Sequence, residues 1–131
     1  MTIEAPPMAA LLGIRLLEVA EGRALLAGQA TERVYNVMGI AHGGFLATLL
    51  DSAIFCAVNA SRLDGSARPF ATVDLKVTYL RPLRREVGEV RCEATVIHAG
   101  KRVATAEARV VDEAGKIYAH GTATCMAPDS G

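Results

Sequence analysis

The chain has 131 residues, 51% of them hydrophobic, and its 14 basic and 14 acidic side chains leave a formal net charge of zero. That length supports one domain with a real core, and the neutral balance argues against a nucleic-acid partner held by bulk electrostatics. The three cysteines, Cys56, Cys92 and Cys125, are far apart and odd in number, which suits a reducing cytosol and argues against a disulfide framework or a clustered metal site.

The opening Met-Thr-Ile-Glu-Ala-Pro-Pro carries no basic region ahead of its apolar residues, so it does not read as a secretory signal. The expectation is a cytoplasmic protein with no membrane partner, since the longest apolar stretch is too short and too polar for a bilayer. Residues 13–19 and 23–30 predict two short strands around Ala20-Glu21-Gly22, and residues 33–44 a loop. Residues 45–60 contain no Pro or Gly and are rich in Ala and Leu, which predicts a helix. Being apolar almost all the way round, that helix is expected to be buried. Residues 61–66 are a polar, Gly-containing break.

Residues 70–80 alternate, with Val73, Leu75, Val77 and Tyr79 on one face and Thr72, Asp74, Lys76 and Thr78 on the other, the period of a half-buried strand. Pro82 stops it. Residues 89–97, 103–111 and 117–126 predict three more strands, with hairpin signals at Ala99-Gly100-Lys101 and Glu113-Ala114-Gly115-Lys116. The last five residues are expected to fray. Two strands, one long helix and four strands exclude a doubly wound parallel sheet and fit an α+β antiparallel sheet wrapped around one buried helix.

Asp51 interrupts the apolar run. A carboxylate about two turns into a buried helix is costly unless it is paired or functional. Gly43 and Gly44 stand where the helix begins, and there the first N–H groups lack intrahelical partners and favour negative charge. The segment thus offers donors for a developing anion and, further along, a carboxylate. Plainer readings exist for each residue. Asp51 could accept structural hydrogen bonds, the glycines could serve close packing, Asn36 could be a turn residue, Thr72 an outward strand residue, and Cys56 a small core hydrophobe. Beside His42 no second His or Cys lies at ligand spacing, so no metal role is assigned. Neither a phosphate-binding Gly-x-x-x-x-Gly-Lys-Ser/Thr loop nor a Gly-x-Ser-x-Gly elbow occurs.

The set Asn36-x5-His42-Gly43-Gly44-x6-Asp51 resembles the hotdog-fold acyl-CoA thioesterases of the phenylacetic-acid-degradation (PaaI-like) type. Ala71-Thr72-Val73-Asp74 through Leu80-Arg81-Pro82 resembles that family's long strand, His98-Ala99-Gly100-Lys101-Arg102 its strand-turn-strand, and Asp112-Glu113-Ala114-Gly115-Lys116 through Gly121 its last hairpin. The resemblance spans roughly residues 10–126. It implies one hotdog domain over 1–131 that hydrolyses an acyl-CoA thioester to a carboxylate and coenzyme A without a metal or redox cofactor.

By the same resemblance, Asp51 attacks the thioester carbonyl or activates a water that does, helped in either case by burial, which raises a carboxylate's pKa and strips its water. Gly43 N–H polarises the thioester oxygen, Asn36 faces the substrate, and Thr72 holds the attacking water. His42 either assists at the thioester or holds the loop. Arg81, Lys101 and Arg102, with Gly44 beside them, would meet the phosphates of coenzyme A. A homodimer or homotetramer is implied, with Asn36, His42 and Gly43 of one subunit facing Asp51 and Thr72 of its neighbour. Aliphatic residues and Met38 or Phe45 are candidates to line the acyl pocket, with aryl and medium-chain groups both open. Two alternatives stand. An acyl-thioester hydratase or dehydratase would resemble a His…Gly…Glu or Asp-x4-His pattern, from which this chain departs. A non-catalytic acyl-CoA binding module would have no need of Asp51.

Overall fold

The structure is a computed structural model that describes residues 4–65 and 67–128. Ser66 of the predicted break, residues 1–3 of the opening segment and residues 129–131 of the expected frayed end lie outside the described residues. Pro7 stands at the first position of a five-residue helix, α1 (Pro7–Leu11), which the sequence pattern did not announce; proline's fixed φ suits that position. Strands β1 (Arg15–Ala20) and β2 (Arg23–Gln29) follow, then the long helix α2 (Gly43–Asn59), and then β3 (Ala71–Tyr79), β4 (Glu89–Ala99), β5 (Val103–Val111) and β6 (Ile117–Met126). All six strands form one antiparallel sheet in the order β1-β2-β4-β5-β6-β3. The sheet curls around α2, so the expected hotdog architecture is the one observed.

The wrap is possible because the sheet's inner face is made of small side chains. Ala94 on β4, Ala104, Ala106 and Ala108 on β5, and Ala119 and Ala123 on β6 are all buried. A Cβ on Gly121 would come within 3.3 Å of Leu50, and one on Gly28 within 3.2 Å of Phe45. Alanine and glycine are poor strand formers in isolation, but here they let Phe45, Leu49, Leu50 and Ile54 of α2 fill the core. Phe45 is therefore a core residue within the chain. Cys56 is buried, as expected of a small hydrophobe.

The helix is not buried all round. Gly44, Ala47, Thr48, Asp51 and Phe55, spaced three and four apart, form a stripe that keeps partial solvent access. Its burial was overestimated because hydropathy does not say how many sides a single sheet covers. The alternation expected of β3 also fails at one place. Thr72 pairs with Cys125 and Asp74 with Thr124, leaving Val73 as an extra residue in a β-bulge. Val73 is turned out to 57% exposure and Thr72 inward, on the side of Leu75 and Val77. At the chain's end Ala127 does not fray: it is buried, and its N–H donates to the Arg102 carbonyl at 2.9 Å.

Asn59 closes α2 and is fully buried. Its Oδ1 accepts from Phe70 N–H (2.7 Å) and its Nδ2 donates to the Phe70 carbonyl (3.0 Å), as a neighbouring strand would. Removing that amide strands two buried backbone groups at about 1–3 kcal/mol each. Asn59→Ala is expected to lower the unfolding free energy by about 2–6 kcal/mol, measured by urea denaturation; a change within experimental error would show that water replaces the side chain.

Candidate active site

Two groups of residues gather along α2, one at its N-terminus and one at its middle. At its N-terminus, Asn36 is a turn residue as its plainer reading had it: Oδ1 accepts from Met38 N–H (2.8 Å) and Ile40 N–H (3.4 Å), while its own N–H donates to the Ile40 carbonyl. This Asx-type turn fixes the side chain and uses only its oxygen. The Nδ2 donor has no partner among the described residues. Met38 sits at the exposed tip of the same turn.

His42 is the N-cap of α2. Its Nδ1 accepts from Gly44 N–H at 2.7 Å, so the ring proton of the neutral imidazole lies on Nε2. The cap accounts for Gly44 as well, since a Cβ there would meet His42 Nδ1 at 2.9 Å. Gly44 thus has its N–H committed inside the chain. Gly43 N–H has no partner among the described residues and projects from the helix N-terminus, where the helix dipole adds its favour for negative charge. A groove of about 330 Å³ brings Gly43 together with Asn36, Tyr79 and Arg81. Tyr79 was missed as a site residue. Its hydroxyl donates to the Gly43 carbonyl at 2.8 Å, a contact that no local motif encodes.

The second group lies further along the helix. Thr72 Oγ1 donates to Asp51 Oδ1 at 2.7 Å and lies 4.0 Å from Cys125 Sγ. The bulge at Val73 is what turns Thr72 to Asp51, so its outward reading from alternation is corrected. Asp51 itself is half-buried, not sealed in a core.

These groups do not meet within one chain. Asp51 lies eight positions beyond Gly43, about 12 Å along a helix at 1.5 Å per residue. Attack on a carbonyl needs reacting atoms about 3–3.5 Å apart. The cations divide in the same way. Arg81 follows the Tyr79 end of β3, whereas Lys101 and Arg102 form the turn before Val103, which pairs with Met126 beside Ala71. The length of β3 puts those ends roughly 25–30 Å apart. Arg62 supports the distant turn by donating to the Gly100 and Lys101 carbonyls while stacking on Phe70. Arg81 also borders a groove with Lys116, a cation the motif reading did not place. The 112–116 turn carrying Lys116 is organised by Asp112, whose carboxylate is held below its usual range first by the Lys116 N–H, then by the Tyr118 hydroxyl and Ala114 N–H. Among the described residues no group of three or more His, Cys, Asp or Glu is placed to hold a metal ion, and no helix is long and apolar enough to cross a membrane.

All three thiols are buried. Burial pushes Cys56 up to about 11. Cys92 is raised by burial and by the Glu93 charge, and Cys125 by burial and the Asp51 charge against the opposing contact from Thr72. Raised thiols stay neutral in the folded chain while unfolded ones ionise near their ordinary value. The stability they contribute is therefore whole below pH about 9 and is lost as pH rises toward 11. The unfolding free energy of wild type is expected to fall more steeply over that range than that of Cys56→Ala, and a thiol reagent at pH 8 should label the folded protein only after denaturant is added. Parallel slopes, or prompt labelling of the native chain, would contradict this account.

Residues 38–119 match the model of the thioesterase superfamily. The chain is similar to human acyl-coenzyme A thioesterase 13, with 30% identity over 117 residues that cover 85% of this chain and 77% of that protein. It is also similar to the 1,4-dihydroxy-2-naphthoyl-CoA hydrolase of Listeria monocytogenes, with 28% identity over 107 residues covering 81% and 83% of the two chains. A solved structure of a variant of the phenylacetic acid degradation protein PaaI from Thermus thermophilus superposes with a TM-score of 0.83 at 34% identity, over 94% of this chain and 100% of that one. With the family's model matched from the turn after Asn36 through the start of β6, and the hotdog sheet and helix in place, the chain belongs to the thioesterase superfamily.

Proposed function

We propose that the protein is an acyl-CoA thioesterase whose residues 1–131 form a single catalytic domain, and that Asp51 acts in it as general base. The observation that carries this reading is the Thr72–Asp51 hydrogen bond on the open stripe of a helix that has no other charged residue. Thr72 spends its only proton on Oδ1, which leaves Oδ2 and the Thr72 oxygen as paired acceptors. A water donating to both has its own oxygen free to attack. Asp51 takes a proton as that oxygen bonds to the thioester carbon, and the tetrahedral oxyanion rests on Gly43 N–H with Asn36 Nδ2 beside it. Collapse breaks the carbon–sulfur bond, and the proton held by Asp51 passes to the departing thiolate. A backbone donor at such a position is worth roughly 10²–10³ in rate. A binding module gains nothing from the hydrated carboxylate, and a hydratase needs acid–base groups that reach one substrate's α and β carbons.

The reading includes a site shared across a two-fold axis. It is supported by the separation of the two groups and by β3, an edge strand of nine residues. Pairing β3 antiparallel with its own copy would lay the Tyr79 and Arg81 end of one strand against the Ala71 end of the other. The donors of one subunit would then face Asp51 and Thr72 of its partner, and Arg81 would join Lys101 and Arg102 around the phosphates of coenzyme A. Buried reduced cysteines fit a cytoplasmic location.

The direct test is thiol release from a panel of aryl and medium-chain acyl-CoA thioesters, with no turnover on any member refuting the function. Asp51→Asn retains an oxygen to accept from Thr72 and removes the base, so kcat should fall at least 10²-fold with the unfolding midpoint unchanged or raised. Near-normal kcat would eliminate Asp51 from the chemistry.

Shared sites are tested by complementation. Asn36→Asp keeps the oxygen that accepts from Met38 and Ile40 and removes the donor. Mixed, unfolded and refolded with Asp51→Asn, it should yield two-fold dimers in which one site collects both defects and the other none, making about a quarter of all sites intact. Recovery of activity toward that fraction is expected. Mixed dimers that stay dead would mean that each chain builds its site alone.

A further inference from the structure

The peptide unit joining Gly43 to Gly44 is held at both of its polar atoms. Its oxygen, the Gly43 carbonyl, accepts from the Tyr79 hydroxyl at 2.8 Å, and its N–H, that of Gly44, donates to His42 Nδ1 at 2.7 Å. Tyr79 also lies over the Gly43 α-carbon, where a Cβ would be 3.0 Å from its Cζ and its Oη. The preceding peptide is held too, because the His42 carbonyl accepts from Phe45 N–H at 2.9 Å. Two consecutive glycines have the greatest backbone freedom of any pair, and here every polar atom of the two peptide planes is engaged except Gly43 N–H.

We infer that Tyr79, from the last position of β3, is a positioning residue for the oxyanion donor: with His42 it clamps the Gly43–Gly44 peptide, and that clamp, together with the Phe45 bond to the preceding plane, limits how Gly43 can turn its N–H. The inference rests on the thioesterase reading of Gly43. It requires no contact between Tyr79 and substrate. Preorganised donors act because their orientation is set before charge develops, and a glycine pair without the clamp would have to be ordered during the reaction. The position also links the donor to the edge strand, since whatever holds β3 in place holds the donor.

Tyr79→Phe keeps the ring over Gly43 and removes the hydroxyl. The Gly43–Gly44 pair is the only Gly-Gly step in the chain, so protein labelled with 13C-carbonyl, 15N-glycine gives a single carbonyl-to-amide correlation reporting both held atoms. Loss of the Tyr79 bond should move the Gly43 carbonyl resonance upfield while the unfolding midpoint stays put. In the same variant kcat should fall about tenfold, the kinetic equivalent of one ordinary hydrogen bond, with KM and inhibition by free coenzyme A unchanged. An unmoved carbonyl resonance overturns the clamp. A moved resonance with full kcat overturns the positioning role, and a raised KM at full kcat makes Tyr79 a substrate contact instead. Wild-type protein inactive on every thioester refutes the proposed function, and this role with it, whatever the resonance shows.

Discussion

Asn59 grips the backbone of Phe70 through both atoms of its amide, and that grip determines where β3 starts against α2. The two elements are separated in sequence by a polar break, and the clamp ties the end of α2 to the residue just before β3, whose register along its length is set by pairing with β6. From Phe70 the chain needs only two residues to reach Thr72, and the bulge at Val73 then turns Thr72 inward to Asp51. Arg62 reinforces the same corner by stacking on Phe70 and binding the carbonyls of the 100–101 turn. One buried amide thus holds the carboxylate, its hydroxyl partner and a basic turn in a common frame.

A single helix supplies both an anion-stabilising end and a carboxylate, yet its geometry keeps them from the same substrate. The rise of α2 puts about 12 Å between them, and no side-chain motion of a glycine or an aspartate spans that. The separation has an electrostatic advantage. The positive end of the helix dipole favours an oxyanion on Gly43, and its influence fades within the first turn. Asp51 lies beyond it and is left to its own partner. The proposed two-fold assembly would recover proximity without giving up this separation, by setting the positive end of one helix near the carboxylate of another.

The elements of the fold were largely legible because they follow local periodicity. The strands at 103–111 and 117–126 and the helix over most of 43–59 rest on patterns contained within each segment. Gly43 and Asp51 stood out as candidates for a similar reason, since both lie on one continuous stretch. What escaped depends on contacts between distant residues. Tyr79 reaches Gly43 from 36 positions away, and Asn59 reaches Phe70 across the polar break. The bulge escaped because Val73 fits an alternating pattern by residue type. Only pairing with Cys125 and Thr124 shows that the strand has one residue too many there.

The glycine pair illustrates the same limit from the other side. Neither Gly43 nor Gly44 adopts a positive φ, so backbone strain does not require them, and alanine would be the better helix former at both places. Each is required by a different side chain. At Gly43 a methyl group would occupy the space of the Tyr79 ring, and at Gly44 it would displace the His42 cap. Those two side chains are the ones that bond the intervening peptide. The space the glycines leave is thus filled by the groups that restrain them, which offsets the backbone freedom they introduce. The result is one N–H at the head of the helix with no partner among the described residues, and the glycines owe their place there to close approach by Tyr79 and His42, not to any unusual backbone conformation.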